Sequence, residues 1–179
     1  MFLIIQILYF LLPAYLANAT GTLFSKWRFL AAPLDHQKKL GNAFILGPSR
    51  TYRGAILGII AAVLTVFAQT LLFSRPFFKQ LSLIDYQQTN WLDLGLLSGL
   101  GSILGPLANS FIKRRLGFAS GAAVPFLDQW DFLISYLLLA SLLVNIPLKI
   151  ILISLVLTLI VHPLSNIFAR LIKLKNVWW

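Results

Sequence analysis

Cysteine and glutamate are both absent from this 179-residue chain, methionine occurs once, and charge of either sign is scarce. Without a thiol there is no disulfide, no thiolate-held metal and no cysteine nucleophile. Only 11% of the residues are charged and 59% are hydrophobic, where a soluble domain carries roughly a quarter charged residues. With a mean hydropathy of +0.84, the composition is that of an integral membrane protein. The length suits one domain, residues 1–179, and not two. The signatures of familiar soluble chemistry are missing too: no GxSxG elbow, no GxxxxGK[ST] phosphate loop and no zinc-ligand spacing.

Acids are the scarcest charged groups. There are five, Asp35, Asp85, Asp93, Asp128 and Asp131, and the net charge is +10. Because the cations flank apolar runs, they point to lipid heads and nucleotide phosphates rather than to nucleic acid.

Five apolar runs are present, over about 2–17, 54–73, 92–112, 127–144 and 148–169. A signal peptide is the competing reading of the first, but no Lys or Arg precedes the run and the loop after it is unlike a cleavage region, so it reads as a short first span with Pro13 tolerated as a kink. The predicted fold is an all-α integral membrane protein of five transmembrane helices with a polar site on its cytoplasmic face. In the third run Gly95 and Gly99, then Gly101 and Gly105, form two small-xxx-small pairs that permit close backbone approach. The sequence admits a homo-oligomer without specifying one. The first loop (18–53), the loop after the third run and the C-terminal tail carry Lys26, Arg28, Lys38, Lys39, Arg50, Arg53, Lys113, Arg114, Arg115, Arg170, Lys173 and Lys175. The opposite side has Arg75, Lys79 and Lys149. The positive-inside rule makes the rich side cytoplasmic in the cell membrane, with the N-terminus outside. Trp178 and Trp179 suit a headgroup interface.

Four constellations on the rich side bear chemistry. Asp128 and Asp131, at i and i+3, share one helix face and suit a hard cation, Mg²⁺ before others; helix capping explains one of them more easily than both. Lys113-Arg114-Arg115, with Ser110 one turn earlier and Gly117 after, suits an anion, although a positive-inside anchor looks the same. Gly47-Pro-Ser-Arg-Thr-Tyr-Arg-Gly54 offers Arg50 and Arg53 as forked phosphate donors and Ser49 or Thr51 as a cap; a plainly capped membrane helix is the bland reading. Asp35 is either salt-bridged in its basic loop or positions a nucleotide. His162, beside Pro163 and near Asn166, is an intramembrane polar residue with packing as its competing role.

In order and spacing these pieces resemble the CDP-archaeol synthase family, short five-span relatives of the phosphatidate cytidylyltransferases. The carriers are Tyr15-Leu-Ala-Asn18, Pro33-Leu-Asp35, the 47–54 and 110–117 segments, Leu127-Asp-Gln-Trp-Asp-Phe132 and His162-Pro-Leu-Ser-Asn166. The resemblance implies an enzyme joining the CMP moiety of CTP to a lipid phosphate, with release of pyrophosphate and with Mg²⁺. It implies Asp128 and Asp131 as metal ligands and, with Lys113, as catalytic groups. Asn18, Asp35, Arg50, Thr51, Arg53, Ser110, Arg114 and Arg115 are then nucleotide- and phosphate-binding. Two departures stand out: Arg50-Thr-Tyr-Arg-Gly54 replaces the usual Lys-Thr-Trp-Arg-Gly, and Gly105-Pro106 replaces the usual Gly-Asp. The lost acid leaves a second reading, a degenerate relative that binds lipid or acts as a scaffold. A CDP-alcohol phosphotransferase is disfavoured because its run of helical Asp residues is absent. Whether the lipid is ether- or ester-linked lies beyond the sequence, because apolar walls discriminate tails weakly.

Overall fold

In a bilayer every backbone N–H and C=O must be satisfied within the chain, so runs this apolar become helices. The computed structural model describes residues 1–174; Lys175, Trp178 and Trp179 lie outside the described residues. Its elements are α1 (Phe2–Leu23), β1 (Lys39–Leu40), β2 (Ala43–Phe44), α2 (Tyr52–Leu72), α3 (Pro76–Leu81), α4 (Trp91–Arg115), α5 (Leu127–Ala140) and α6 (Leu148–Leu171). Among the described residues four helices, α1, α2, α4 and α6, are long and apolar enough to cross a membrane. The fourth expected span, 127–144, is shorter than its apolar run: α5 has 14 residues and turns from Ser141 onward. At 1.5 Å per residue that is about 21 Å, against roughly 30 Å of hydrocarbon.

Several boundaries move for identifiable reasons. Helix α1 continues past residue 17 to Leu23, so Asn18 lies on a helix and not in a loop. Its polar end is sheltered, because Thr20 is buried and its Oγ1 donates to Ala17 O at 2.7 Å. Helix α4 continues to Arg115, so the three cations occupy its last turn, where the helix dipole favours positive charge. The all-α expectation gains a minute antiparallel hairpin, Lys39 opposite Phe44 and Leu40 opposite Ala43. The short α3, opened by Pro76 in its first turn, interrupts the expected second loop.

Helix α4 is the hub, and its glycines decide what it touches. A Cβ at Gly95 would sit 2.8 Å from Val63 Cα on α2, and one at Gly101 would sit 2.6 Å from Ser135 O on α5. The two small-xxx-small pairs therefore serve different neighbours: 95 and 99 admit α2, 101 and 105 admit α5. Ile7, Phe10 and Leu11 of α1, with Phe132, Leu133 and Tyr136 of α5, fill the interior, and Tyr136 Oη donates to Phe10 O at 2.7 Å. Leu138, Leu152, Val156 and Ile160 face outward, as lipid-facing side chains do. The first and third loops meet at one end, where Arg115 donates to the carbonyls of Leu40, Ala43 and Phe44. The other end carries α3, tied to α1 by Gln6 Nε2 donating to Gln80 O at 2.7 Å.

Candidate active site

The seam between α4 and α5 gathers the strongest chemistry. Gly105 lets the α4 backbone lie against the carbonyl of Asp131. One and two turns further along the same face come Asn109 and Lys113. Asn109 Nδ2 donates to Asp128 Oδ1 at 2.8 Å and to Asp131 Oδ2 at 2.7 Å, so one amide nitrogen reaches both acids. Lys113 is 6% exposed; its Nζ lies 2.8 and 2.9 Å from the two oxygens of Asp128 and also donates to Ala122 O. Val124 N donates to Asp128 Oδ2 at 2.7 Å, which folds the loop back over the start of α5. That return needs a tight γ-turn at Phe126 (φ 64°, ψ −52°), closed by Leu127 N donating to Pro125 O at 2.8 Å.

Beside the seam an open cleft of about 430 Å³ is lined by Asn18, Ser49, Arg50, Thr51, Ser102 and Pro106. Arg50 joins the two regions. Its Nε donates to Ser110 Oγ at 2.6 Å, and its guanidinium senses the charges of Asp131 and Asp128. Burial lowers the Arg50 pKa, with Asp131 and Asp128 acting against it and Arg114 adding to it. A guanidinium nonetheless remains a cation in a protein. Arg114 is 7% exposed and its Nε finds no hydrogen-bond partner among the described residues.

The other expected site residues stand elsewhere. Arg53 donates to Trp27 O and pins the loop after α1. Thr51 lines the cleft and also caps α2, accepting from Gly54 N at 3.3 Å. Arg115 is committed to the hairpin carbonyls, because successive residues on a helix point about 100° apart and only Lys113 of the triplet faces the acids. The Asp35 carboxylate accepts from Gln37 N (3.0 Å), Leu46 N (2.8 Å) and Gly47 N (2.9 Å), which orders the first loop rather than facing the acid pair. Burial pushes its pKa up, but these backbone N–H groups outweigh burial and hold it below the ordinary carboxylate range. His162 stacks on Phe132, ring centroids 6.0 Å apart.

A family model described as CarS-like, CDP-archaeol synthase, matches residues 1–179. The chain belongs to the CDP-archaeol synthase family. It is 36% identical over 179 residues to the CDP-archaeol synthase of Methanocaldococcus jannaschii, covering 96% of this chain and 95% of that one. The Methanopyrus kandleri CDP-archaeol synthase is 37% identical over 176 residues, covering 96% and 91%. A solved structure described as "Structural insight into an intramembrane enzyme for archaeal membrane lipids biosynthesis" superposes with a TM-score of 0.67 at 26% identity, covering 89% of this chain and 92% of that one. With its apolar helices and this intramembrane neighbour, the chain is a multi-pass membrane protein.

In this member of the CDP-archaeol synthase family, Pro106 is buried and lines the cleft where the usual pattern has an acid. A candidate site residue that sequence reading missed is Asn109, 3% exposed and bonded to both acids. Its only signal was a lone amide inside an apolar run. For a divalent cation the donor set fits: the acids present hard oxygens close together, and Asn109 Oδ1 is buried with no hydrogen-bond partner. No group of three or more His, Cys, Asp or Glu forms among the described residues.

Proposed function

We propose that this chain transfers CMP from CTP to an archaeal-type lipid phosphate, releasing pyrophosphate at the cation-rich, cytoplasmic rim of the cell membrane. The observation that supports it most is the meeting of Asp128, Asp131 and Lys113 on one seam beside Arg50, in a chain whose relatives named CDP-archaeol synthase match nearly its whole length. A lipid phosphomonoester is anionic and nucleophilic near neutral pH, so the protein need not supply a strong general base. The lipid oxygen attacks the α-phosphorus of CTP in line, the bond to the β-phosphate oxygen breaks, and pyrophosphate carries away the electron pair.

Asp128 and Asp131 would hold Mg²⁺, which when bound neutralises charge on the phosphates. The rest falls to the protein. Lys113, held in place by Asp128 before reaction, and Arg114, whose Nε is unpaired among the described residues, offset negative charge developing on the leaving pyrophosphate. Arg50 binds a phosphate at the mouth of the cleft, with Asn18 and Thr51 on its wall and Ser110 fixing its orientation. Two guanidiniums that sense each other's charge, one with an unpartnered donor, suit an anion between them. In this reading α5, though short, crosses as the fifth span, because its N-terminal end starts below the rim where the polar loop folds in. The scaffold alternative is not favoured, since a scaffold has no use for two acids held by a buried lysine and an amide.

Asp128→Asn and Asp131→Asn, checked for retained folding, should abolish transfer of label from CTP to the lipid phosphate. Near-normal turnover in both would remove the assignment.

A further inference from the structure

Asn109 carries an inference that neither the motif pattern nor the family name contains. Its amide sits between two carboxylates, 3% exposed, with its nitrogen used twice and its oxygen not at all. Two carboxylate oxygens facing one amide must receive its donor end, so this orientation is dictated when no cation is present. With a cation between the acids the preference reverses, because the N–H groups then point at positive charge and the orphaned oxygen does not. The exchange takes one half-turn about the terminal torsion, which in Asn is broad and weakly restricted. No backbone motion is needed. Pro106, one turn earlier on α4 and in the position where the family pattern has an acid, brings no side-chain oxygen.

We infer that Asn109 is a third protein ligand of the divalent cation, its Oδ1 turning inward to join Asp128 and Asp131 when the ion binds. The inference rests on the proposed metal-dependent reading and deepens it. In the cation-free state the same amide screens the two acids from each other, so a single side chain serves both states. Lys113 keeps its contact with Asp128 throughout and limits the charge the ion must balance.

The test uses the full chain in lipid nanodiscs with Mn²⁺ as the probe, its binding followed by loss of the free-ion electron paramagnetic resonance signal, without CTP or lipid phosphate. Asn109→Ala should weaken Mn²⁺ binding by about tenfold or more, since even outer partners of a metal site cost that much when removed. If the amide only screens the acids, the same change should leave affinity unchanged or tighten it, because the competing N–H groups are gone. Either of those results overturns the inference. Should Asn109→Ala not fold, Asn109→Cys decides. It introduces the only thiol in the chain and should weaken Mn²⁺ while strengthening Cd²⁺, with a thiolate-to-cadmium absorption band. Unaltered affinity for both ions overturns the inference. If Mn²⁺ binding is lost in Asp131→Asn but retained in Asn109→Ala, the metal reading survives and Asn109 is not a ligand. If the native chain binds Mn²⁺ only once CTP is added, the metal reading survives and the three-ligand site is overturned; if it binds none even with CTP, both fail.

Discussion

Gly105→Ala isolates the contact on which the seam depends. The new methyl would land inside the van der Waals radius of the Asp131 carbonyl oxygen and against Ser135 Oγ, where ordinary contact begins at 3.4 Å. Helix α5 must therefore retreat from α4, by on the order of 1 Å, a displacement that elsewhere costs a catalytic site about 100-fold. The Asn109–Asp131 hydrogen bond, now 2.7 Å, lengthens past its useful limit. Stability should change much less than rate. Overpacking costs roughly 1–3 kcal/mol, while replacing a helical glycine with alanine returns about 1 kcal/mol. Gly95→Ala is the control: the same chemical change on the same helix, but directed at Val63 of α2 and far from the acids. Its clash is milder, the new Cβ standing 2.8 Å from Val63 Cα, so it should cost less stability and leave kcat close to the native value. The assay is label transfer from CTP to lipid phosphate, run beside a thermal melt of each variant. If Gly105→Ala keeps native turnover, or if both variants lose turnover equally, close approach of α4 and α5 is not what positions the acids.

Other consequences can be checked independently. CTP with Mg²⁺ should raise the melting temperature, by about 2.7 kcal/mol of stability at a hundredfold excess over Kd, and CTP with chelator should not. Arg115→Ala should free the 39–44 hairpin, seen as faster amide exchange there, and leave turnover largely intact because Arg115 faces away from the acids. Arg50→Lys should raise KM for CTP, since a point charge cannot hold Ser110 and a phosphate in one fork. The Asp35 carboxyl titrates lower folded than unfolded, so its contribution is complete above about pH 4 and is lost as the pH falls through the folded value. Amide protection over residues 37–47 should therefore drop on acidification, and should be low at all pH in Asp35→Ala.

What could be read from the sequence was whatever repeats at helical spacing. The apolar runs, the glycine pairs and the Asp128–Asp131 spacing are all local patterns, and each reappears in the structure on the face its spacing implies. The short α5 escaped because hydropathy continues through Leu142 to Val144 after the helical hydrogen bonds have given way to turns. The 39–44 hairpin escaped because two-residue strands have no period to detect. The division of labour within Lys113-Arg114-Arg115 depends on helix phase, and that was hidden once the triplet was assigned to a loop. Asn109 had no local partner at all. Its two acids lie 19 and 22 residues ahead, on another helix, and nothing in the intervening loop announces that α4 and α5 will touch.

The scarcity of acids explains why the arrangement holds together. Lys113 pairs with Asp128, Arg50 senses both acids, and Arg114 in turn acts on Arg50, so these five groups carry an excess of one positive charge before any ligand arrives. Taking several ions out of water is costly unless each is paired, and one cation here is left without a full set of partners. A nucleotide triphosphate and a lipid phosphate together bring several negative charges, more than three cations can balance. A divalent ion held by the acids narrows that gap. More acids at the seam would weaken phosphate binding, and fewer would leave the ion unheld. A carboxylate introduced at Pro106, beside Arg50 in the cleft, should accordingly tighten Mn²⁺ binding and raise KM for CTP together. A variant in which both parameters improve would show that charge balance is not what limits this site.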